Sequence, residues 1–265
     1  MSMDVAVAVP KRRALLLKAL LVALVVTAWV SMSLEVLETA SAPAGNAGAH
    51  HHHAAHGGAL AFWGTLSMWM VMMVAMMVPV VFPWVAALAR LGYGAPSGAR
   101  HPVIRRPVMA VAFLAGYFAA WLGFSTGATV LQWYLSITGA LSSHLMENGL
   151  VRGAAFVLLG AYQWSPLKNS CLTHCESPFT FFLSRWRDGA WGAFLMGGHH
   201  GLYCIGCCWL LMLGMIATGA MSFPWMVGFT LFILLEMYVA ELRWVSRAAG
   251  AVLIVAGLAS VAVAL

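Results

Sequence analysis

The sequence predicts an all-α fold, a polytopic helical membrane bundle of about seven transmembrane helices. Three observations support this prediction: 62% of the residues are hydrophobic, 8% are charged, and the apolar residues form long continuous runs. A soluble domain has roughly a quarter of its residues charged, disorder needs low hydrophobicity, and a β-barrel needs short alternating segments. We therefore exclude these three classes.

Seven apolar runs serve as candidate spans, since crossing the hydrocarbon takes about 20 residues. The fourth run is the shortest, so it either begins earlier, near His144, or forms a half-helix. A cleaved signal peptide is the alternative for the first run, but its length exceeds the roughly 7–15 apolar residues of such a segment, which favours a retained anchor. The seven runs are residues 14–34, 60–88, 107–135, 151–164, 189–219, 223–240 and 247–265.

Basic residues orient these spans, because Lys and Arg are retained on the cytoplasmic side of a membrane. With the N-terminus inside, 13 of the 14 basic residues lie in inner loops, and Arg152 is the exception. This bias predicts an N-in and C-out protein of the bacterial cytoplasmic (inner) membrane. It also accounts for the net charge of +6 without nucleic acid, so the expected surroundings are the lipid bilayer.

The chain divides into three regions. Residues 1–38 form the cytoplasmic N-terminus and first anchor, 39–59 a His-rich extracytoplasmic loop, and 60–265 the helical membrane domain with the Cys/His clusters. The histidines of the loop are either an accidental run or low-affinity metal collectors.

All five cysteines fall between residues 171 and 208, in two short clusters. Cys171, His174 and Cys175 are spaced i, i+3, i+4, so one or two helical turns would align them. In span five, four donors occupy i, i+4, i+7 and i+8 on one helical face, namely His200, Cys204, Cys207 and Cys208. Thiolate and imidazole suit Cu(I) or Zn(II), so we predict a copper ion site here, with zinc or simple structural packing as alternatives.

Two further features of the spans contribute candidate ligands. Span two carries a methionine-rich face whose thioethers suit Cu(I), although methionine is also a flexible packing residue: Met72, Met73, Met76 and Met77. Glu236 lies within span six, where a carboxylate needs a partner, and is a candidate metal ligand or proton acceptor.

Four sequence strings carry a family resemblance: Met73-Val-Ala-Met76-Met77-Val-Pro79, Tyr162-Gln-Trp-Ser-Pro166-Leu-Lys168, Cys171-Leu-x-x-Cys175 with Pro178, and His200-Gly-Leu-Tyr-Cys204-Ile-Gly-Cys207-Cys208-Trp209-x-Leu-Met212. On these strings the chain resembles the domain of unknown function 2182 family, described as predicted metal-binding integral membrane proteins. It differs at Glu176 and Met237, where the family pattern has basic residues. The resemblance implies membrane location and metal binding, without an activity.

Three functions remain open. We expect a non-enzymatic protein that binds Cu(I) or Zn for storage, delivery or transport, since P-loop, dinucleotide, serine-nucleophile and zincin motifs are absent from the sequence. The first alternative is a membrane thiol-disulfide oxidoreductase using Cys204-Ile-Gly-Cys207, although Cys171 and Cys175 would face a reducing cytoplasm. The second is a metal-bearing subunit or assembly factor of a membrane oxidase or oxygenase. A metallochaperone or an oxidase complex is then the expected partner.

Overall fold

The computed structural model describes residues 23, 25–30, 33–34, 59–91, 105–138, 148–175, 177–217, 223–238 and 243–264. Within these ranges the chain forms helices joined by short turns, and no strand occurs among them. The prediction of an all-α fold is therefore confirmed for the described part of the chain. Residues 25–30 are helical, and the helices with described bounds are α1 (Ala59–Leu91), α2 (Arg105–Ile137), α3 (Gly149–Gln163), α4 (Pro166–Cys175), α5 (Pro178–Arg185), α6 (Gly189–Ala217), α7 (Phe223–Tyr238) and α8 (Arg243–Ala264).

Four of the described helices are long and apolar enough to cross a membrane. They are Ala61–Leu88 in α1, Pro107–Ile137 in α2, Gly189–Ile216 in α6 and Trp244–Ala264 in α8. They coincide with the second, third, fifth and seventh predicted spans. The predicted sixth span corresponds to α7, whose apolar part, Met226–Met237, is shorter.

The fourth predicted span is α3, which begins close to its predicted start. The Asn148 side chain caps it by accepting a hydrogen bond from the Leu150 N–H at 2.9 Å. The helix has 15 residues, or about 22 Å, which is less than the roughly 30 Å of hydrocarbon. It therefore does not meet the length of a full crossing. Most of the first predicted span, and the His-rich loop, lie outside the described residues.

Helices α2 and α6 run parallel and touch through their backbones. Phe113 lies against Gly197, and Ala120 lies against Gly201 further along both helices. A methyl group on Gly201 would lie 2.8 Å from the Ala120 Cβ and 3.0 Å from the Tyr117 carbonyl oxygen. This contact depends on small residues, as close helix pairs in membranes commonly do.

Helix α8 packs antiparallel to α3 along a second seam of glycines. Gly153 and Gly160 are seven residues apart, as are Gly250 and Gly257 on the partner helix. A methyl group on Gly160 would lie 2.5 Å from the Gly250 carbonyl oxygen, and one on Gly257 would lie 2.6 Å from that of Gly153. The seven-residue spacing keeps both pairs on one side of each helix.

The segment between spans four and five, predicted as a loop, is instead largely helical. Helix α4 packs along α6, and α5 places Phe181 and Phe182 against Trp84 of α1. One face of α4 is buried because Lys168, Leu172 and Cys175 recur at helical spacing. Cys171, His174 and Cys175 thus lie on turns of one helix, where Cys175 is on the buried face and His174 is exposed.

Helix α1 forms the centre of the core. In the most apolar stretch of α1, 67% of the residues are buried. The corresponding share in α8 is 11%, so α8 lies at the periphery. Helix α1 runs antiparallel to α6, since Met77 contacts Cys204 and Trp84 stacks on His200. Cys204 of α6 therefore faces Met77 of α1.

Candidate metal centre

Three thiols form a compact group on α6. The ligand atoms of Cys204, Cys207 and Cys208 all lie within 4.8 Å of one another, and the three residues are buried. Two sulfurs bound to one ion at about 2.3 Å can be at most about 4.6 Å apart, so small adjustments would let them share an ion. The spacing i, i+3, i+4 places them on one face of the helix. In the structure the thiols of Cys207 and Cys208 donate to the Cys204 carbonyl oxygen, each at 3.0 Å.

Cys175 of helix α4 interacts with Cys207, although it is not one of the three thiols that lie within 4.8 Å of one another. Its hydrogen bond with the Cys207 thiol, together with burial, raises the pKa of the Cys175 thiol well above its usual value. The two predicted cysteine clusters therefore meet in space, although about 30 residues separate them in sequence. All five cysteines are free thiols.

Cys171 lies beside the same group but at its edge. Its sulfur sits over Gly206, where an added methyl group would lie only 2.5 Å from it. Burial, and to a smaller extent the charge of Cys207, raises the pKa of the Cys171 thiol. Cys171 is half-buried, whereas the other four cysteines are buried.

His200 lies one turn before Cys204, in an aromatic enclosure. The Trp84 ring stacks on its imidazole with centroids 3.7 Å apart, and the Tyr117 ring stacks at 5.5 Å. His200 is fully buried, and neither ring nitrogen has a hydrogen-bond partner. It is not part of the close group of three thiols. An unpartnered buried imidazole is costly, so this one is available to a ligand.

The predicted methionine face is buried as a whole. Met72, Met73, Met76 and Met77 have no exposed surface. Met77 reaches the thiols, with its sulfur 4.0 Å from the Cys204 sulfur. The Tyr117 hydroxyl lies 3.2 Å from that same cysteine sulfur. Cys204 therefore has a thioether and a phenol as neighbours in addition to the other thiols.

His174 lies on the outside of α4. Its side chain is exposed, its Nδ1 donates to the Ser170 carbonyl oxygen at 2.8 Å, and its ring stacks on Tyr203 at 4.4 Å. It does not join the close group of thiols. The Tyr203 ring also stacks on His199, which Arg185 contacts at 3.0 Å.

Glu236 is bound by a buried lysine. Its carboxylate accepts from the Lys168 ammonium at 2.6 Å and from the Ser246 hydroxyl at 2.5 Å. The side chains of the ion pair are only 1% and 4% exposed, and Lys168 also donates to the Gln163 side chain. Lys168, counted above among basic residues of an inner loop, is thus enclosed between helices. The carboxylate is engaged by this pair and not by the thiols.

Two of these neighbours were not anticipated from the sequence. Lys168 precedes Cys175 by seven residues, so its helical register could have placed it on the same face of α4. Tyr117 carries no such signal, because its contact with Cys204 depends on how α2 crosses α6.

Fold and site together define an all-helical protein with a buried, thiol-rich centre suited to a soft metal ion. The family model described as PpoB2, copper chaperone, matches residues 66–260, and the chain therefore belongs to this family. The match covers every cysteine and extends from α1 into α8. Neither the curated proteins nor the solved structures contain a significant match. The resemblance to the domain of unknown function 2182 family stays a prediction.

Proposed function

We propose that this protein is a copper chaperone of the bacterial cytoplasmic membrane that holds Cu(I) at the thiols of Cys175, Cys204, Cys207 and Cys208. The observation that carries the proposal is the group of three buried thiols within 4.8 Å of one another on α6. The description of the family as copper chaperones supports copper as the cargo. Zinc is the alternative metal for the same thiols.

The donor set suits a soft monovalent ion. Thiolates bind Cu(I) strongly, and a thioether such as Met77 adds a neutral soft donor beside Cys204. The Tyr117 hydroxyl can donate a hydrogen bond to the Cys204 sulfur once that sulfur is a thiolate. His200 offers an unpartnered ring nitrogen one turn away. These groups supply the soft donors and the hydrogen-bond donor that stabilise an anionic copper–thiolate centre in the protein interior.

Proton release accompanies binding at such a site. Metal-binding cysteines must lose their protons, and the bound cation then offsets part of the buried thiolate charge. The raised pKa of Cys175 keeps that thiol protonated in the free site, so it must lose its proton when the ion binds. This exchange makes binding tight and dependent on pH.

The proposed membrane placement is N-in and C-out. Four described helices of membrane length support it, as does the distribution of basic residues. The parallel pair α2 and α6 and the antiparallel pair α1 and α6 have the relative directions of alternating spans in which the segment between α2 and α6 crosses the membrane once. A metallochaperone or a membrane oxidase complex would serve as the partner in copper delivery.

The test is metal and thiol analysis of the full-length protein, purified in detergent without a His-tag and without oxygen. We expect near-stoichiometric copper with all five thiols reduced. Cys204→Ser and Cys207→Ser should lose the copper, while Met72→Leu, a substitution of similar volume in the same core, should keep it.

Circular dichroism and gel filtration establish that each variant is folded. Stoichiometric copper retained by folded Cys204→Ser protein would refute the proposed ligands. Wild-type protein without metal, and with thiols missing as disulfides, would instead favour a thiol-disulfide oxidoreductase.

A further inference from the structure

Building on the proposed Cu(I) function, we infer that Cys171 is the exchange thiol of the site, through which Cu(I) passes between the buried thiols and a thiol-bearing carrier. Cys171 is half-buried, and the other four cysteines are buried. Cys204, Cys207 and Cys208 are at most 3% exposed, so an external thiol cannot reach them directly.

The position of Cys171 fits a ligand between the surface and the interior. Its sulfur lies over Gly206, in the volume that a side chain at that position would occupy. Gly206 directly precedes Cys207, and the thiols of Cys171 and Cys207 are close enough to influence each other electrostatically. The missing side chain of Gly206 is thus what admits a fifth thiol beside the buried group.

Helix α4 also gives this sulfur an approach from outside. Cys175 lies one turn after Cys171 and faces inward to Cys207, whereas His174 is exposed. Successive residues of one short helix therefore lead from the surface to the buried thiols. Tyr117 and Met77 contact Cys204 and are fully buried, so they offer no approach from outside.

The transfer step is a ligand exchange without electron transfer. In release, Cys171 loses its proton as its sulfur forms a bond to Cu(I), and the buried Cu–S bonds then break one after another as each departing thiolate takes up a proton. A carrier thiolate then replaces the Cys171 sulfur, which is protonated again. Copper remains Cu(I) throughout, and loading follows the reverse order.

The test measures the rate of copper release from loaded full-length protein in detergent under anaerobic conditions. The probe is the Cu(I) chelator bathocuproine disulfonate in excess, followed by its absorbance in a stopped-flow instrument. Cys171→Ser should retain the wild-type copper content. Its copper release rate should fall to about a tenth of the wild-type rate or below. Gly206→Ala should also slow release, because the new methyl group displaces the Cys171 sulfur.

Gly228→Ala on α7 is the matched control, since nothing lies within 4 Å of the added methyl group, and it should release copper at the wild-type rate. Equal release rates for Cys171→Ser and wild type would overturn the inference. A lower copper content of folded Cys171→Ser would also overturn it, because Cys171 would then be a resident ligand. Wild-type protein that binds no copper would refute the proposed function itself. This outcome differs from the two that overturn only the role of Cys171.

Discussion

Met77 and Met72 lie five residues apart on α1 and are both fully buried, but they have different neighbours. The Met77 sulfur lies 4.0 Å from the Cys204 sulfur. Met77→Leu should weaken Cu(I) affinity by about tenfold, or ~1.4 kcal/mol, because it removes a soft donor at nearly constant volume. Met72→Leu should leave the affinity unchanged. Competition titration with a Cu(I) chelator measures both, and equal affinities would exclude Met77 from the ligands.

Copper affinity should rise with pH. The pKa of the Cys175 thiol is raised by its hydrogen bond with Cys207 and by burial, so the free thiol is protonated at neutral pH and the ion competes with its proton. The apparent affinity should therefore increase up to about tenfold per pH unit for each proton released. Isothermal titration in two buffers of different ionisation enthalpy counts these protons. Binding without proton release would contradict a protonated Cys175 thiol in the free site.

At the scale of helices, one buried ion pair connects four of them. Lys168 of α4 binds Glu236 of α7, while Ser246 of α8 and Gln163 of α3 complete the network. Because Lys168 and Cys175 lie on the same buried face of α4, this network also sets where Cys175 meets α6. Buried ion pairs cost desolvation, so their stabilising effect depends on both partners being present.

Replacing only one residue of the Lys168–Glu236 pair should therefore destabilise the protein more than replacing both. Lys168→Met leaves the Glu236 carboxylate buried and unpaired, which should lower the free energy of unfolding by about 3–5 kcal/mol. The double variant Lys168→Met/Glu236→Gln should recover part of this loss. Denaturant unfolding in detergent, analysed as a double-mutant cycle, gives the coupling free energy between Lys168 and Glu236. Strictly additive effects of the two substitutions would contradict this coupling.

The glycine seam between α3 and α8 makes a separate prediction. Gly160→Ala would place a methyl group 2.5 Å from the Gly250 carbonyl oxygen and 2.7 Å from the Ile254 side chain. The two helices would have to separate, at a cost of about 1–3 kcal/mol, which should lower the melting temperature. Gly123→Ala on α2 is the control, because its methyl group meets nothing within 4 Å and alanine favours a helix. Equal melting temperatures for Gly160→Ala and the wild type would contradict close packing of α3 against α8 at these glycines.

At the scale of the whole molecule, the proposed membrane orientation depends on the basic residues that lie between the spans. With Lys168 enclosed, twelve of the remaining thirteen basic residues still fall on the predicted inner side. A reporter enzyme that is active only outside the cytoplasm should therefore be active when fused after Leu265. The same reporter should be inactive in the segment between α1 and α2. The opposite pattern would reverse the proposed topology.

Much of the fold was predictable because it depends on local sequence. Apolar runs and helical periodicity follow from neighbours a few residues apart, so the helices α1, α2, α6 and α8 match predicted spans closely. The shared face of Cys204, Cys207 and Cys208 follows from the same periodicity. The copper prediction gains support from the family match, although the coordination itself remains a proposal.

Other features depended on tertiary structure, because they join residues far apart in the chain. Periodicity shows that Lys168 and Cys175 share a face of α4, but not that Glu236 and Cys207 meet that face. Nor can it show that Gly206 leaves room for the Cys171 sulfur. The sequence by itself determined an all-helical, apolar chain with aligned thiols, since local chemistry is enough for both. The packing of α4 against α6 decided which thiols meet and which one stays at the edge.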